Sequence, residues 1–276
     1  MKGAPRGGRR VLSQAEGTGL TAFGAAFLLA LMEPTWATVP LTLFVLLCVV
    51  APFCPTLPFF LPVVSRGSAD RKTVALTFDD GPDPATTPLL LELLARHGMR
   101  ATFFVTGRNA LRHPALIQDI LDQGHTIGNH SCRHDNFIML KSVHRLRKEI
   151  LTTQRILQRF DITPLAFRPP VGITNPRLPA AIQGTPLFVV NFNRRAGDWG
   201  NRRLTHLSRR IIRRLRPGDI ILLHDTRPAD PRRWAQWRRE LNRLPAGIAG
   251  RGLTVVPLAQ LIQRPVMVKR RAGRGS

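Results

Sequence analysis

Two adjacent carboxylates, Asp79 and Asp80, stand at the end of an apolar, β-branched stretch and directly before Gly81 and Pro82. Residues 73–78 favour a buried strand and the Gly-Pro pair forbids its continuation, so both carboxylates belong to a strand's carboxyl end. Adjacent side chains there point in different directions, which lets one Asp hold a cation while its neighbour takes a proton. Further along, His130 and His134 are four residues apart in GNHSCRH. On a helical turn that spacing puts both imidazoles on one face. With a carboxylate from elsewhere they form a three-ligand set that keeps positions open for water and substrate. Two imidazoles and one carboxylate suit zinc, and cobalt or nickel is compatible with the same donors.

Three more places carry chemistry. Arg168 precedes Pro169 and Pro170, which stiffen the backbone and fix where the guanidinium points; such an Arg can pair bidentately with a carboxylate and hold it ionised and oriented. Residues 220–223 are fully apolar and run into His224, the side-chain type best suited to give up a proton near neutral pH. Asp198 and Trp199 can supply an acid that orients this His and an aromatic wall for a sugar ring.

These residues need a scaffold that gathers them. Strand-like stretches are expected at 73–78, 101–106, 125–130, 165–169, 187–192, 219–225 and 253–258. Amphipathic helical stretches are expected at 87–97, 114–123, 142–160, 204–215 and 233–244. Such alternation predicts an α/β fold with about seven parallel strands, closed into a (β/α) barrel. Asp79, Asp80, His130, Arg168, Asp198, His224 and Asp225 then all fall at or just after carboxyl ends of strands, the face where such barrels do their chemistry.

The ordered set TFDDGP, HSCRH, RPPVG, DW and LLHD resembles the polysaccharide deacetylase family, carbohydrate esterase family four, also called the nodulation-protein-B homology domain. The resemblance covers a catalytic unit at about 72–262. It implies a distorted (β/α) barrel and metal-dependent removal of N-acetyl, or another N-acyl, groups from amino sugars. Carried over by motif, Asp79 is the general base, and Asp80, His130 and His134 are the metal ligands. Arg168 steadies Asp79, Asp198 tunes His224, and His224 is the general acid. Pro170, Val171, Trp199 and Leu222 are the positions expected to meet substrate, with Leu222 and Trp199 lining the acetyl pocket and a backbone N–H near Val171 facing the oxyanion. The sequence departs from the family at Val171, where Tyr is usual; the chain has no Tyr at all. Cys132 and Arg133 between the two histidines are also unusual, and Arg133 is placed to meet a phosphate.

The remainder of the chain is organised by charge. The net charge is +24, with 41 Lys and Arg against 17 Asp and Glu, yet no Lys or Arg occurs from Val11 through Ser65. After a basic tail at 1–17 this region predicts membrane insertion at 18–64, read as a helical hairpin with spans at about 18–32 and 35–51. A single long anchor is the alternative, and two successive apolar runs without a small-residue cleavage pattern argue against a cleaved signal peptide. Basic flanks on both sides place both ends in the cytoplasm by the positive-inside rule; a single span would put the domain outside. Prolines 52, 55, 58 and 62 exclude a regular helix after the second span. Residues 202–216 and 232–244 are amphipathic, with arginine-rich outer faces suited to anionic lipid. An arginine-rich tail ends the chain at 263–276. No nucleic-acid-binding motif is recognisable and nucleic acid is not an expected partner. The expected partners are an amino-sugar glycan or lipid-linked sugar and anionic membrane lipid. The three cysteines imply no disulfide framework.

Overall fold

The computed structural model describes residues 12–270; the basic residues at 2–10 and the last residues of the arginine-rich tail lie outside them. The chain begins with two helices, α1 (Gln14–Ala30) and α2 (Thr38–Val50). Ser13 opens α1 as a capping box: its hydroxyl accepts from the Glu16 N–H, and Glu16 accepts from the Ser13 N–H. The helices pack on each other through Gly19, Phe23 and Phe44, the two phenylalanine rings meeting edge on. Among the described residues, one stretch, Pro34–Phe53, is long and apolar enough to cross a membrane by length and composition.

The rest alternates strand and helix. In order come β1 (Val63–Val64), β2 (Thr73–Asp79), α3 (Thr87–Arg96), β3 (Thr102–Val105), α4 (Gly107–Arg112), α5 (Pro114–Asp122) and β4 (Thr126–Asn129). These are followed by α6 (Val143–Leu157), β5 (Ile162–Pro164), β6 (Ala166–Phe167), α7 (Leu178–Ile182), β7 (Phe188–Val190) and β8 (Arg194–Arg195). The last elements are α8 (Leu207–Ile212), β9 (Ile220–His224), α9 (Trp234–Ala249), β10 (Thr254–Val255), α10 (Leu258–Leu261) and β11 (Met267–Lys269). All seven expected strands are present, most of them shorter than expected. Helix α9 runs past the expected end at 244 and carries Pro245 inside it.

The sheet is parallel and runs β1-β7-β6-β4-β3-β2-β9-β8, with β10 beside β2. It curls without closing, which corrects the expected barrel. Its two ends, β1 and β8, are two residues long and pair on one side only, so the ladder has no strand with which to complete the circle.

Strand parity builds the two sides of this half-barrel. On β2, Val74, Leu76 and Phe78 join Phe103, Val105, Ile127, Ile221 and Leu223 in the outer core beneath α3, α5, α8 and α9. The alternate residues face the concave side, where Ala75, Phe104, Ala166, Val190, Ile220 and Leu222 pack together. Thr77 and Asp79 continue that inward row on β2, as His224 does on β9. A third core joins the amino-terminal segment (Ala51, Phe59, Phe60, Leu61) to Ile138, Met139, α6 and α7. The prolines at 52–62 thus lead an irregular segment that packs on the domain and ends in β1, which adds to the sheet beside β7.

Candidate active site

Asp79 and His224 are register partners at the carboxyl ends of β2 and β9. Parallel neighbours lie about 4.8 Å apart, so a carboxylate and an imidazole of the same parity stand side by side over the concave core. Leu222 sits one inward step below His224 and is buried.

Arg168 anchors the Asp79 side. It follows β6, is wholly buried, and spends each nitrogen on a partner. Nη1 donates to Asp79 Oδ1 at 2.7 Å and to Thr77 Oγ1 at 2.8 Å, Nε to the Val190 carbonyl at 3.1 Å, and Nη2 to the Asn191 carbonyl at 3.0 Å. The expected bidentate pairing is therefore replaced by one strong contact, because the fork is also the clasp between β2 and β7. Asp79 Oδ2 is left facing His130 Nε2 at 3.7 Å. The guanidinium also lies 4.0 Å over the Phe104 ring. That ring fits because its register partner is Gly128, where a Cβ would stand 2.5 Å from it. Burial lowers the Arg168 pKa while the Asp79 charge opposes the loss.

Asp80 turns the other way, its backbone left-handed at φ 75°. The Asn109 side chain donates to its carbonyl and the Thr106 N–H to that of Gly81. Gly81 is required: a Cβ there would lie 2.2 Å from Asp225 Oδ2. Asp80 Oδ1 lies 3.4 Å from His130 Nε2 and 3.1 Å from His134 Nε2. The histidines do not share a helical turn. Residues 130–134 form a loop with positive φ at Ser131 and His134, and this bend brings the rings to a centroid distance of 4.9 Å. Asn129 accepts from the Ser131 N–H, and Glu149 from the N–H groups of Cys132 and Arg133, which holds the loop in place. The Arg133 side chain is exposed, with Nε 3.9 Å from Glu149.

These three residues fit a divalent cation. Their ligand atoms lie within 4.8 Å of one another, and Asp80 Oδ1 is a buried oxygen with no hydrogen-bond donor. His130 Nδ1 lies 2.7 Å from the Arg168 carbonyl. A carbonyl only accepts, so the proton sits on Nδ1 and the lone pair of Nε2 faces Asp80, the tautomer a ligand needs.

On the other side, His224 Nδ1 donates to buried Asp198 at 2.7 Å, so the contact is made through Nδ1 and not Nε2. Burial works against the imidazolium, but the Asp198 hydrogen bond and charge outweigh it and raise the His224 pKa to about 9. Asn201 sews this loop to the strand end by donating to the carbonyls of His224 and Thr226. Trp199 stands exposed on the same loop, and Pro170 is buried beside Val171. Among the described residues, five of the nine non-glycine residues with positive φ are Asp80, Ser131, His134, Val171 and Trp199, a concentration of backbone strain at one site.

The supporting contacts carried no signal in the sequence, although Asp225 itself is among the expected strand-end residues. Asp225 accepts from the hydroxyls of Thr86 and Thr87 at 2.7 and 2.6 Å, and burial raises its pKa to about 7 against those two bonds. Asn129, Glu149 and Asn201 hold loops, and Thr77 shares Arg168 with Asp79.

Fold and site together give an α/β half-barrel with one carboxylate and two imidazoles convergent at strand ends, flanked by a second carboxylate and a third imidazole. Residues 66–187 match the Polysaccharide deacetylase family model. The chain is 35% identical over 158 residues to a Peptidoglycan-N-acetylglucosamine deacetylase of Bacillus cereus, covering 56% of this chain and 74% of that protein. It is 31% identical to a Chitooligosaccharide deacetylase of Bradyrhizobium sp., covering 73% and 98%. A crystal structure of a peptidoglycan N-acetylglucosamine deacetylase with a bound N-oxidanyl-benzamide superposes with a TM-score of 0.66 at 30% identity, over 76% of this chain and 95% of that one. The chain belongs to the polysaccharide deacetylase family.

Proposed function

We propose that this protein is a metal-dependent hydrolase that removes an N-acetyl or related N-acyl group from an amino sugar. The observation that carries the reading is the pairing of Asp79 and His224 across one register position, with the Asp80, His130 and His134 ligand atoms converging beside Asp79. A divalent cation held by those three, with zinc the best fit to the donors, supplies Lewis-acid polarisation of the acyl oxygen and makes the attacking water more acidic. Asp79 Oδ2 takes the proton of that water, while Arg168 keeps Oδ1 fixed. The water oxygen bonds to the acyl carbon, and in this reading the Val171 N–H donates to the oxyanion. As the C–N bond breaks, His224 Nε2 gives its proton to the amine, and the acid and free amino sugar leave. An inactive scaffold would not need a ligand-ready His130 tautomer or an acid tuned by Asp198.

We further propose that Pro34–Phe53 anchors the enzyme in the inner membrane, paired with α1 as a hairpin that puts both ends and the domain on the cytoplasmic side. The basic flanks support this orientation. A reporter fused after Ser276 tests it, and reporter activity outside the cytoplasm would contradict it. For the chemistry, purified protein loaded with zinc is given an acetylated chito-oligosaccharide. Acetate and free amine in equal amounts, both abolished by chelation and restored by zinc, are expected; turnover that survives chelation would contradict it.

A further inference from the structure

We propose that the mouth of the active site rests on a bilayer surface and draws its acylated amino sugar from a lipid carrier in that bilayer. The substrate half of this inference rests on the deacetylase reading; the docking half does not.

The rim of the site exposes large apolar side chains on more than one loop. Outside the amino-terminal helical region, the exposed large apolar side chains include Phe137 (69% exposed), Leu140 (75%), Val171 (49%) and Trp199 (71%). Each sits on a loop that carries the chemistry: Phe137 and Leu140 follow His134, Val171 follows Arg168 by three residues, and Trp199 follows Asp198. Val171 is also a β-branched residue held at φ 56°, a conformation such side chains avoid. Exposed apolar groups gathered on one rim mark an interaction surface rather than scattered surface residues.

The amino-terminal segment identifies the occupant. The stretch Pro34–Phe53 ends against these same loops. A Cβ on Gly172 would touch Pro55 at 3.4 Å, and the Asn191 amide donates to the carbonyls of both Pro55 and Gly172. Phe44, Leu47 and Cys48 of α2 pack on the core that holds Ile138 and Met139, the residues between Phe137 and Leu140. The start of α1 is tied to the same place, since the Ala15 N–H donates to the Phe59 carbonyl. At the outer end of the helical pair, Leu31, Met32 and Trp36 are exposed. A membrane crossed by α2 therefore meets the domain at the rim of the site. Exposed cations at Arg133 and Arg177, with Lys141 paired to Asp135 beside them, suit the anionic headgroups of that surface. With the mouth at headgroup level, a sugar joined through phosphate to a long lipid presents its amide where Asp79 and His224 stand, whereas a distant polymer does not.

The full-length protein in vesicles of phosphatidylcholine and phosphatidylglycerol provides the test. Single Phe137→Trp, Leu140→Trp and, as control, Val268→Trp variants are compared with the parent for quenching by brominated acyl chains. Val268 lies on β11, which pairs in a separate two-stranded sheet with β5, the strand that precedes β6, whereas Arg168 of the site follows β6. Quenching at 137 and 140 and none at 268 is expected; equal emission at all three positions in protein that floats with the vesicles would overturn the proposal, as would a cross-linked dimer that buries 137 and 140. A second arm compares an acetylated amino sugar linked by phosphate to a polyisoprenoid with a soluble chito-oligosaccharide. The Phe137→Ser, Leu140→Ser double variant is expected to lose about tenfold in kcat/KM on the lipid-borne sugar, from two lost apolar insertions, and nothing on the soluble one. Equal loss on both substrates would overturn the substrate half. Acetate from neither substrate, with quenching intact, would instead sink the deacetylase reading and uphold the docking.

Discussion

The two sides of the site are built to different standards. On the base side, Asp79, Asp80, His130 and His134 are locked by a wholly buried Arg168 with four hydrogen bonds, by Asn129 and Glu149 under the histidine loop, and by Phe104 seated over Gly128. On the acid side, the His224 imidazole is held through one recorded contact, to Asp198, on a loop tied down by Asn201. The difference suits the tasks proposed for the two sides. A base and a ligand set must share one geometry, which needs redundant positioning, whereas an acid needs a pKa, which a buried carboxylate can set.

Breaking the base side is expected to have the largest effects. Asp79→Asn keeps an Arg168 hydrogen bond through its carbonyl oxygen but cannot take a proton, and kcat for acetate release should fall by about 10²–10⁴-fold, with a lower Tm because buried Arg168 loses its counter-charge. Arg168→Met removes a buried cation and strands the Asp79 carboxylate and two carbonyls, at about 3–5 kcal/mol. Calorimetry should show a large fall in Tm, and an unchanged Tm would mean that the clasp between β2 and β7 is dispensable.

On the acid side the expected effects are shifts. His224 is raised to about 9 by Asp198, so the imidazolium and the stability of that pair are fully present below about 6.5 and are lost as pH rises through about 9. NMR titration of the metal-free protein should show this midpoint, and in Asp198→Asn it should fall well below 9, because only the charges of Asp80 and Asp79 then oppose burial. Asp225, buried below the same strand end, titrates at about 7 rather than 3.8, so for this group stability is greatest below 3.8 and falls as pH rises towards 7. Asp225→Asn should flatten that fall in urea titrations, at a cost of about 1–3 kcal/mol at low pH. The smallest change is expected from Trp199→Ala: exposed as it is, its loss should leave stability within about 0.5 kcal/mol, with any effect confined to KM.

The sequence carried the reacting groups more clearly than their supports. Asp79, Asp80 and His224 were legible because strand parity and chain breakers are local signals, and the order of the motifs placed Arg168 and Asp198. The His130–His134 spacing announced a ligand pair but not its geometry, since the bend depends on positive φ at Ser131 and His134 and on Glu149, which lies on α6. Thr86, Thr87 and Asn201 were invisible for the same reason: their partners are the strand end at 224–226, and only folding makes them neighbours. Closure of the barrel was over-read because alternation counts strands without showing that β1 and β8 are too short to meet.

The pH dependence of kcat/KM for acetate release, measured on the zinc-loaded parent beside Asp79→Asn and Asp198→Asn, tests this division most directly. The account predicts a bell for the parent, near-baseline activity at every pH for Asp79→Asn, and for Asp198→Asn a retained bell whose alkaline limb moves to lower pH. Substantial activity in Asp79→Asn, or an alkaline limb that Asp198→Asn leaves in place, would contradict it.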